Sequence, residues 1–295
     1  MRKPVFYGSG VAIATPFHSD GSVDYPSFAK LIDWQIGQGT QAIIVLGTTG
    51  ENPTISDEEF EKIVPFAIKQ INKRVPAVIG TGRNDTHHAI VLSKKAQQMG
   101  ADALLVVNPY YNKTTQAGLV AHVNAIADSV DIPIILYNVP SRTGMSFTAD
   151  TYAECAKHKN VNGVKEAAGD FTLILRTRKK CPEDFYIYSG NDDQITSIMS
   201  LGGVGVISVL ANIEPAKTQE ICQAYLDGDV KRSAQIQIEL CDLIDALFIE
   251  TNPIPVKAAL AVMDKCGGTL RLPLIEMSDK GKQVLFSSMK EHGLL

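Results

Sequence analysis

Four kinds of residue in this chain have the makings of one reaction. Lys165 stands in V-N-G-V-K-E-A-A, a lysine inside an apolar run. An ammonium is costly to bury there, burial favours the neutral amine, and a neutral amine attacks a ketone. The competing reading is a lysine paired to a carboxylate, or one pointing out of the end of the run. Tyr137 closes I-I-L-Y. A phenol beside an imine can carry the protons of carbinolamine formation and dehydration; a plain core aromatic with its hydroxyl at the surface fits the same pattern. Thr48 and Thr49 sit in a glycine turn, G-T-T-G-E. Backbone N–H groups and hydroxyls there can hold a small carboxylate close to the start of a helix, although ordinary turn chemistry also selects these residues. Arg142, in Y-N-V-P-S-R-T-G, can grip a second carboxylate through its planar fork, or be a lone surface cation. An amine nucleophile, a proton carrier and two anion holders together describe Schiff-base chemistry on a keto acid.

Other chemistries lack support. The six histidines show neither H-x-H nor H-E-x-x-H spacing, which argues against a zinc site. Gly80-Thr81-Gly82 is too short for a dinucleotide fingerprint, and no phosphate-cradling G-x-x-x-x-G-K-[ST] occurs. The net charge of −4 is spread along the chain, and the longest basic run, Arg176 to Lys180, reads as a solvated helix face rather than a nucleic-acid stripe. Five cysteines with no C-x-x-C fit free thiols in a reducing compartment. The amino terminus has no apolar stretch long enough for a signal peptide, and no segment approaches a membrane span. A cytoplasmic protein without nucleic-acid or membrane partners is therefore expected.

Such residues need a scaffold that brings distant segments to one place. Eight short apolar runs recur: Val11–Ala14, Ala42–Leu46, Ala77–Ile79, Ala103–Val107, Ile132–Tyr137, Val161–Val164, Phe185–Tyr188 and Val204–Val209. They are continuous rather than alternating, as strands covered on both faces should be. Helix-period segments lie between them. Ser56 with Glu59 predicts a capping box opening a helix near Asp57–Asn72; Thr86, Thr115, Thr148 and Asp193 are candidate openers of others, and Gly100 ends one. Strands each followed by a helix point to a (β/α)8 barrel, an α/β fold of TIM-barrel type, with an open doubly wound sheet as runner-up. After Asn212 the chain reads as helix throughout, from about Glu214 to Glu291. The expected division is a barrel over residues 1–228 and a C-terminal helical region over residues 229–295. In a barrel the site lies at the carboxyl ends of the strands. The unusual polar residues fall there: Gly47 to Glu51, Asn108 to Asn112, Tyr137 to Gly144, Lys165-Glu166 and Ser189 to Asp193.

Taken in order, G-T-T-G-E, P-Y-Y-N, Y-N-V-P-S-R-T-G, V-K-E-A, S-G-N-D-D and G-V-I-S-V span essentially the whole chain. The set resembles the dihydrodipicolinate synthase family, within the Schiff-base aldolases that also include N-acetylneuraminate lyase. The resemblance implies a lyase that condenses pyruvate with aspartate semialdehyde, on the diaminopimelate route to lysine. It implies Lys165 as the imine-forming residue, Tyr137 as proton carrier, and Thr48 linking Tyr137 to Tyr111, which reaches into a neighbouring subunit. Thr49 and Ile207 match pyruvate-binding positions, Arg142 matches the arginine for the second substrate's carboxylate, and Gly190 matches a pocket-lining position. It further implies no metal or organic cofactor, and a homotetramer of two tight dimers. The lysine and tyrosine are shared with the sibling aldolases; Arg142 favours the synthase. The family's inhibitory lysine pocket corresponds to Asn52, Pro53, Asp57, Phe60, Asn84, His88 and Tyr110. In sensitive bacterial members a Glu stands at the position of His88 and a His at that of Phe60, so weak or absent inhibition by lysine is expected here. A non-catalytic sensor using the same pocket, or a purely structural oligomer, is the rival class, and would leave nothing for borohydride to trap with pyruvate.

Overall fold

The eight apolar runs form eight parallel strands that close on themselves in chain order, β1 pairing with β8. A computed structural model describes residues 1–295. The strands are β1 (Gly8–Ala12), β2 (Ala42–Val45), β3 (Ala77–Gly80), β4 (Ala103–Val107), β5 (Ile134–Asn138), β6 (Val161–Glu166), β7 (Tyr186–Ser189) and β8 (Gly205–Ser208). Parallel neighbours need crossovers, and helices supply them. These are α1 (Tyr25–Gly37), α2 (Asp57–Ile71), α3 (Thr86–Gln98), α4 (Gln116–Ala127), α5 (Pro140–Thr143) with α6 (Ala149–Cys155), α7 (Phe171–Lys180), α8 (Ile195–Ser200) and α9 (Pro215–Leu226). The fold is the TIM barrel expected, and the open sheet is excluded by the β1–β8 ladder.

Side chains alternate across each strand, and the apolar core accordingly splits in two. The larger part lies between strands and helices and includes Ile43, Val45, Ile79, Leu104 and Leu136. The smaller part fills the barrel interior with Ala12, Ile44, Val78, Leu105, Ile135, Tyr137, Tyr188 and Ile207 among others. Each fully buried Val, Ile or Leu contributes about 1.5–3 kcal/mol, which is why the strands tolerate so few polar residues. Among the exceptions, Ser9 and Asn162 lie near the amino ends of β1 and β6, whereas Asn138, Lys165, Glu166, Ser189 and Ser208 sit at carboxyl ends.

Helix starts follow local hydrogen bonding. Ser56 caps α2, its hydroxyl accepting from the Glu59 N–H while the Glu59 carboxylate accepts from the Ser56 N–H. Thr115 and Thr148 cap α4 and α6. Two expectations need correction. Asp85, not Thr86, caps α3, because its carboxylate accepts from His87 N–H, leaving the Thr86 hydroxyl to meet His122 Nδ1 at 2.9 Å. Asp193 opens nothing; it lies inside a single 3-10 turn, Asp192–Gln194, that precedes α8.

Beyond α9 come α10 (Val230–Glu239), α11 (Cys241–Leu247), α12 (Ile254–Val262) and α13 (Asp279–Glu291). The expectation of unbroken helix after Asn212 fails over residues 248–253, where Pro253 precedes α12, and over the longer stretch 263–278, which contains Gly267, Gly268 and Pro273. Glycine and proline deny that segment helical hydrogen bonds. It is held instead by Arg271, which donates to the carbonyls of Gly21 and Thr54 and to the Glu59 carboxylate. None of the helices is long and apolar enough to cross a membrane.

Candidate active site

Lys165 and Tyr137 are register partners on adjacent strands, as are Lys165 and Tyr188. All three side chains therefore belong to one layer inside the barrel. Lys165 is only 4% exposed, and its Nζ lies 4.5 Å from the centroid of the Tyr137 ring. The next residue, Glu166, points to the opposite face, where its carboxylate accepts from Tyr152 Oη at 2.8 Å, Asn138 Nδ2 at 2.9 Å and Ala168 N–H at 2.9 Å. The lysine's counter-charge is therefore not its chain neighbour.

A cavity of about 200 Å³ opens above this layer between the ends of β2, β3, β4 and β5. Thr48, Tyr137 and Arg142 line it. Gly80 lines it as well, and a Cβ there would fall 2.0 Å from the Leu46 carbonyl oxygen, so the close approach of β3 to the β2 turn requires glycine. In that turn Gly50 N–H donates to Gly47 O and Glu51 N–H to Thr48 O, while the N–H groups of Thr48 and Thr49 donate to no protein acceptor. Such free amides suit a carboxylate.

Arg142 rides on α5, which Asn108 at the end of β4 secures by donating to Thr143 Oγ1 and to Met145 O. Its Nη2 donates to the Asn252 carbonyl at 3.0 Å. Thr49 is buried, its hydroxyl accepting from Asn252 Nδ2 at 3.1 Å. Ile207 is fully buried inside the barrel on β8. Gly190 lies outside the cavity lining, packed so closely to β6 that a Cβ would stand 2.6 Å from Ala167 Cβ. Tyr111 is 92% exposed, with a left-handed φ of 68°, and does not reach the cavity of its own chain. Of the predicted residues, Thr48, Tyr137 and Arg142 line this cavity, Lys165 and Ile207 lie buried within the barrel, Thr49 is buried against Asn252, and Gly190 and Tyr111 stand outside the lining.

Sequence reasoning placed Glu51 and Asp192 among the strand-end polar residues without giving them a role, and passed over Asn252 and Lys257. Asn252 joins Thr49 to Arg142 from the loop before α12. Glu51, at a left-handed φ of 54°, forms an ion pair with Lys257 on α12 at 2.6 Å, both side chains essentially inaccessible. Lys257 also donates to Thr15 O at 3.0 Å, and Glu51 accepts from Arg271 N–H at 3.0 Å. Asp192 accepts from the Val209 and Leu210 N–H groups at 2.9 and 2.8 Å, fixing the segment after Ile207. Burial raises its carboxyl above the usual range, ahead of those donors. Lys257 carried the same signal as Lys165, a cation in an apolar run, in I-P-V-K-A-A-L.

Residues 5–292 match the Dihydrodipicolinate synthetase family. The chain is 54% identical to 4-hydroxy-tetrahydrodipicolinate synthase of Thermoanaerobacter sp. (strain X514), over 99% of this chain and 98% of that one. It superposes on the crystal structure of dihydrodipicolinate synthase from Thermotoga maritima with a TM-score of 0.97 at 43% identity, covering 99% and 100% of the two chains. A structure described as the first monomeric dihydrodipicolinate synthase variant is equally similar, with TM-score 0.97, 43% identity and coverage of 99% and 98%.

Proposed function

The chain belongs to the dihydrodipicolinate synthetase family, and from that premise we propose that it is a Schiff-base lyase joining pyruvate to aspartate semialdehyde, a 4-hydroxy-tetrahydrodipicolinate synthase. The observation that carries the reading is the Lys165 amine, buried inside the barrel against Tyr137, beneath a cavity lined by Thr48 and Arg142. The amine adds to the keto carbon of pyruvate, and water leaves to give the imine. Tyr137 moves the protons of both steps. The N–H groups of Thr48 and Thr49 hold the pyruvate carboxylate, with Ile207 walling the methyl side and Gly190 keeping β7 close to β6. Loss of a methyl proton gives an enamine, whose carbon attacks the aldehyde of the second substrate. Arg142 grips the carboxylate of that substrate. Its amino group then attacks the imine carbon, closes the ring and releases Lys165. The protonated imine is itself the electron sink, so the route needs no metal or organic cofactor.

Thr48 passes protons between Tyr137 and a Tyr111 supplied by a neighbouring subunit, in a cytoplasmic homotetramer built from two tight dimers. The exposure of Tyr111 supports this placement. Borohydride reduction with pyruvate tests the chemistry: an intact-mass gain at Lys165, absent in Lys165→Ala, is expected, and no gain in the wild-type protein defeats the proposal. Turnover with pyruvate and aspartate semialdehyde should exceed cleavage of N-acetylneuraminate; the reverse preference makes the protein a sibling aldolase.

Insensitivity to lysine belongs to the same reading. At the position of His88 there is no carboxylate for the ligand's ammonium, and His88 Nε2 itself engages Asp57 at 3.0 Å. Phe60 is buried and apolar. Activity should be unchanged by lysine at micromolar concentrations, and inhibition there contradicts the inference.

A further inference from the structure

Arg83 is a half-buried cation with no carboxylate in ion-pair contact. It lies in the loop after β3, beyond Thr81 and Gly82, and its Nη1 donates to the carbonyl of its own neighbour, Gly82, at 2.9 Å. Arg2, Arg74, Arg232 and Arg271 each meet a carboxylate; Arg83 meets none. Burial pushes its guanidinium below the usual range, with the nearby Tyr110 and Asp57 only partly offsetting that. Arg83 lines the same cavity as Arg142, and no Asp or Glu does. Arg142 likewise has only a carbonyl partner, Asn252 O. Arg142 is exposed at the rim and Arg83 half-buried. Two guanidiniums lining one small cavity with no acid between them leave it with an excess of positive charge, which an anionic ligand offsets.

We propose that the cavity at the barrel mouth is a binding site for short dicarboxylates, held with one carboxylate on Arg142 and the other on Arg83. The inference rests on the proposed function only in giving Arg142 a carboxylate partner. Aspartate semialdehyde carries a single carboxylate, so Arg83 is surplus to its recognition and selects for a second acid group. A dicarboxylate seated there occupies the path of the aldehyde and leaves Lys165, deeper in the barrel, able to react with pyruvate.

Calorimetric titration of succinate and glutarate into the wild-type protein without pyruvate tests the site directly, with butyrate as the one-ended control. Succinate or glutarate should bind at least about tenfold more tightly than butyrate, as one extra charge-assisted contact allows. Arg83→Ala should abolish that advantage while leaving butyrate binding as it was. Arg142→Ala should weaken all three ligands. Arg83→Lys should fall between, because a point charge lacks the bidentate fork. Equal affinity of the wild-type protein for succinate and butyrate, or wild-type affinity for both diacids in Arg83→Ala, overturns the proposal. If Arg83→Ala loses its circular-dichroism signature of folding, Arg83→Lys and Arg83→Gln decide. Failure of the Schiff-base reading shows separately, as absence of the borohydride mass gain, and leaves the calorimetric outcome unaffected.

Discussion

Lys165 and Glu166 are adjacent in sequence and lie on opposite faces of β6. Glu166 is 2% exposed, and burial raises its carboxyl from 4.5 to about 7, outweighing the donors from Tyr152, Ala168 and Asn138. The folded state then holds a proton that the unfolded chain releases. Between about pH 4.5 and 7 the native state binds more protons, so stability must fall as pH rises. The contribution is full below the unfolded value and is lost as pH passes the folded one. It amounts to about 3 kcal/mol at most. Glu166→Gln should remove this part of the pH dependence, measured as urea midpoints at pH 5 and pH 7.5; identical slopes in variant and wild type refute the assignment. At this scale the sequence was informative where a residue violated its surroundings. Lys165 was readable because nothing apolar explains a lysine in V-N-G-V-K. Lys257 breaks its surroundings equally, yet its partner Glu51 is 206 residues away, and no local pattern separates a paired buried lysine from a reactive one. Arg83 was illegible for another reason: an arginine after a strand is ordinary until a cavity is seen beside it.

The element scale shows how the barrel mouth is braced from outside the barrel. Glu51 ends the turn that presents Thr48 and Thr49, and Lys257 on α12 pairs with it where neither meets water. Removing one partner strands the other as a buried charge, which costs about 3–5 kcal/mol, whereas removing both is far milder. Lys257→Met should therefore be severely destabilised in thermal or urea unfolding, and Lys257→Met with Glu51→Gln should regain much of the loss. Additive losses in the double variant would show that the two residues act independently. The pairing also explains which elements could be read in advance. Caps at Ser56, Thr115 and Thr148 close within three residues, so spacing finds them. Strand runs were legible to within a few residues because burial on both faces demands continuous apolar character. The segment over residues 263–278 owes its course to Arg271 bonding Gly21, Thr54 and Glu59, contacts of long sequence separation that periodicity does not encode.

At the scale of the whole molecule, Tyr111 is the residue that one chain leaves unexplained. A tyrosine with left-handed backbone pays for its conformation, and this one then presents nearly its whole side chain to solvent. Its neighbour Tyr110 lines the cavity of the same chain, so Tyr111 is carried on the rim, turned outward. A similar structure is described as a monomeric variant; on the proposed mechanism this chain's need for a partner is catalytic. A two-fold interface places the same residue reciprocally in both sites. Lys165→Ala and Tyr111→Phe chains should each be nearly inactive alone. Mixed within one dimer they leave one site with its own Lys165 and the partner's intact Tyr111. Random pairing then restores about a quarter of all sites. Assays on chains unfolded together and refolded as a mixture, set against each variant refolded alone, distinguish the cases. Activity no greater than the sum of the separate variants would mean that Tyr111 serves its own chain or none, and sedimentation of the same samples would show whether mixed dimers had formed.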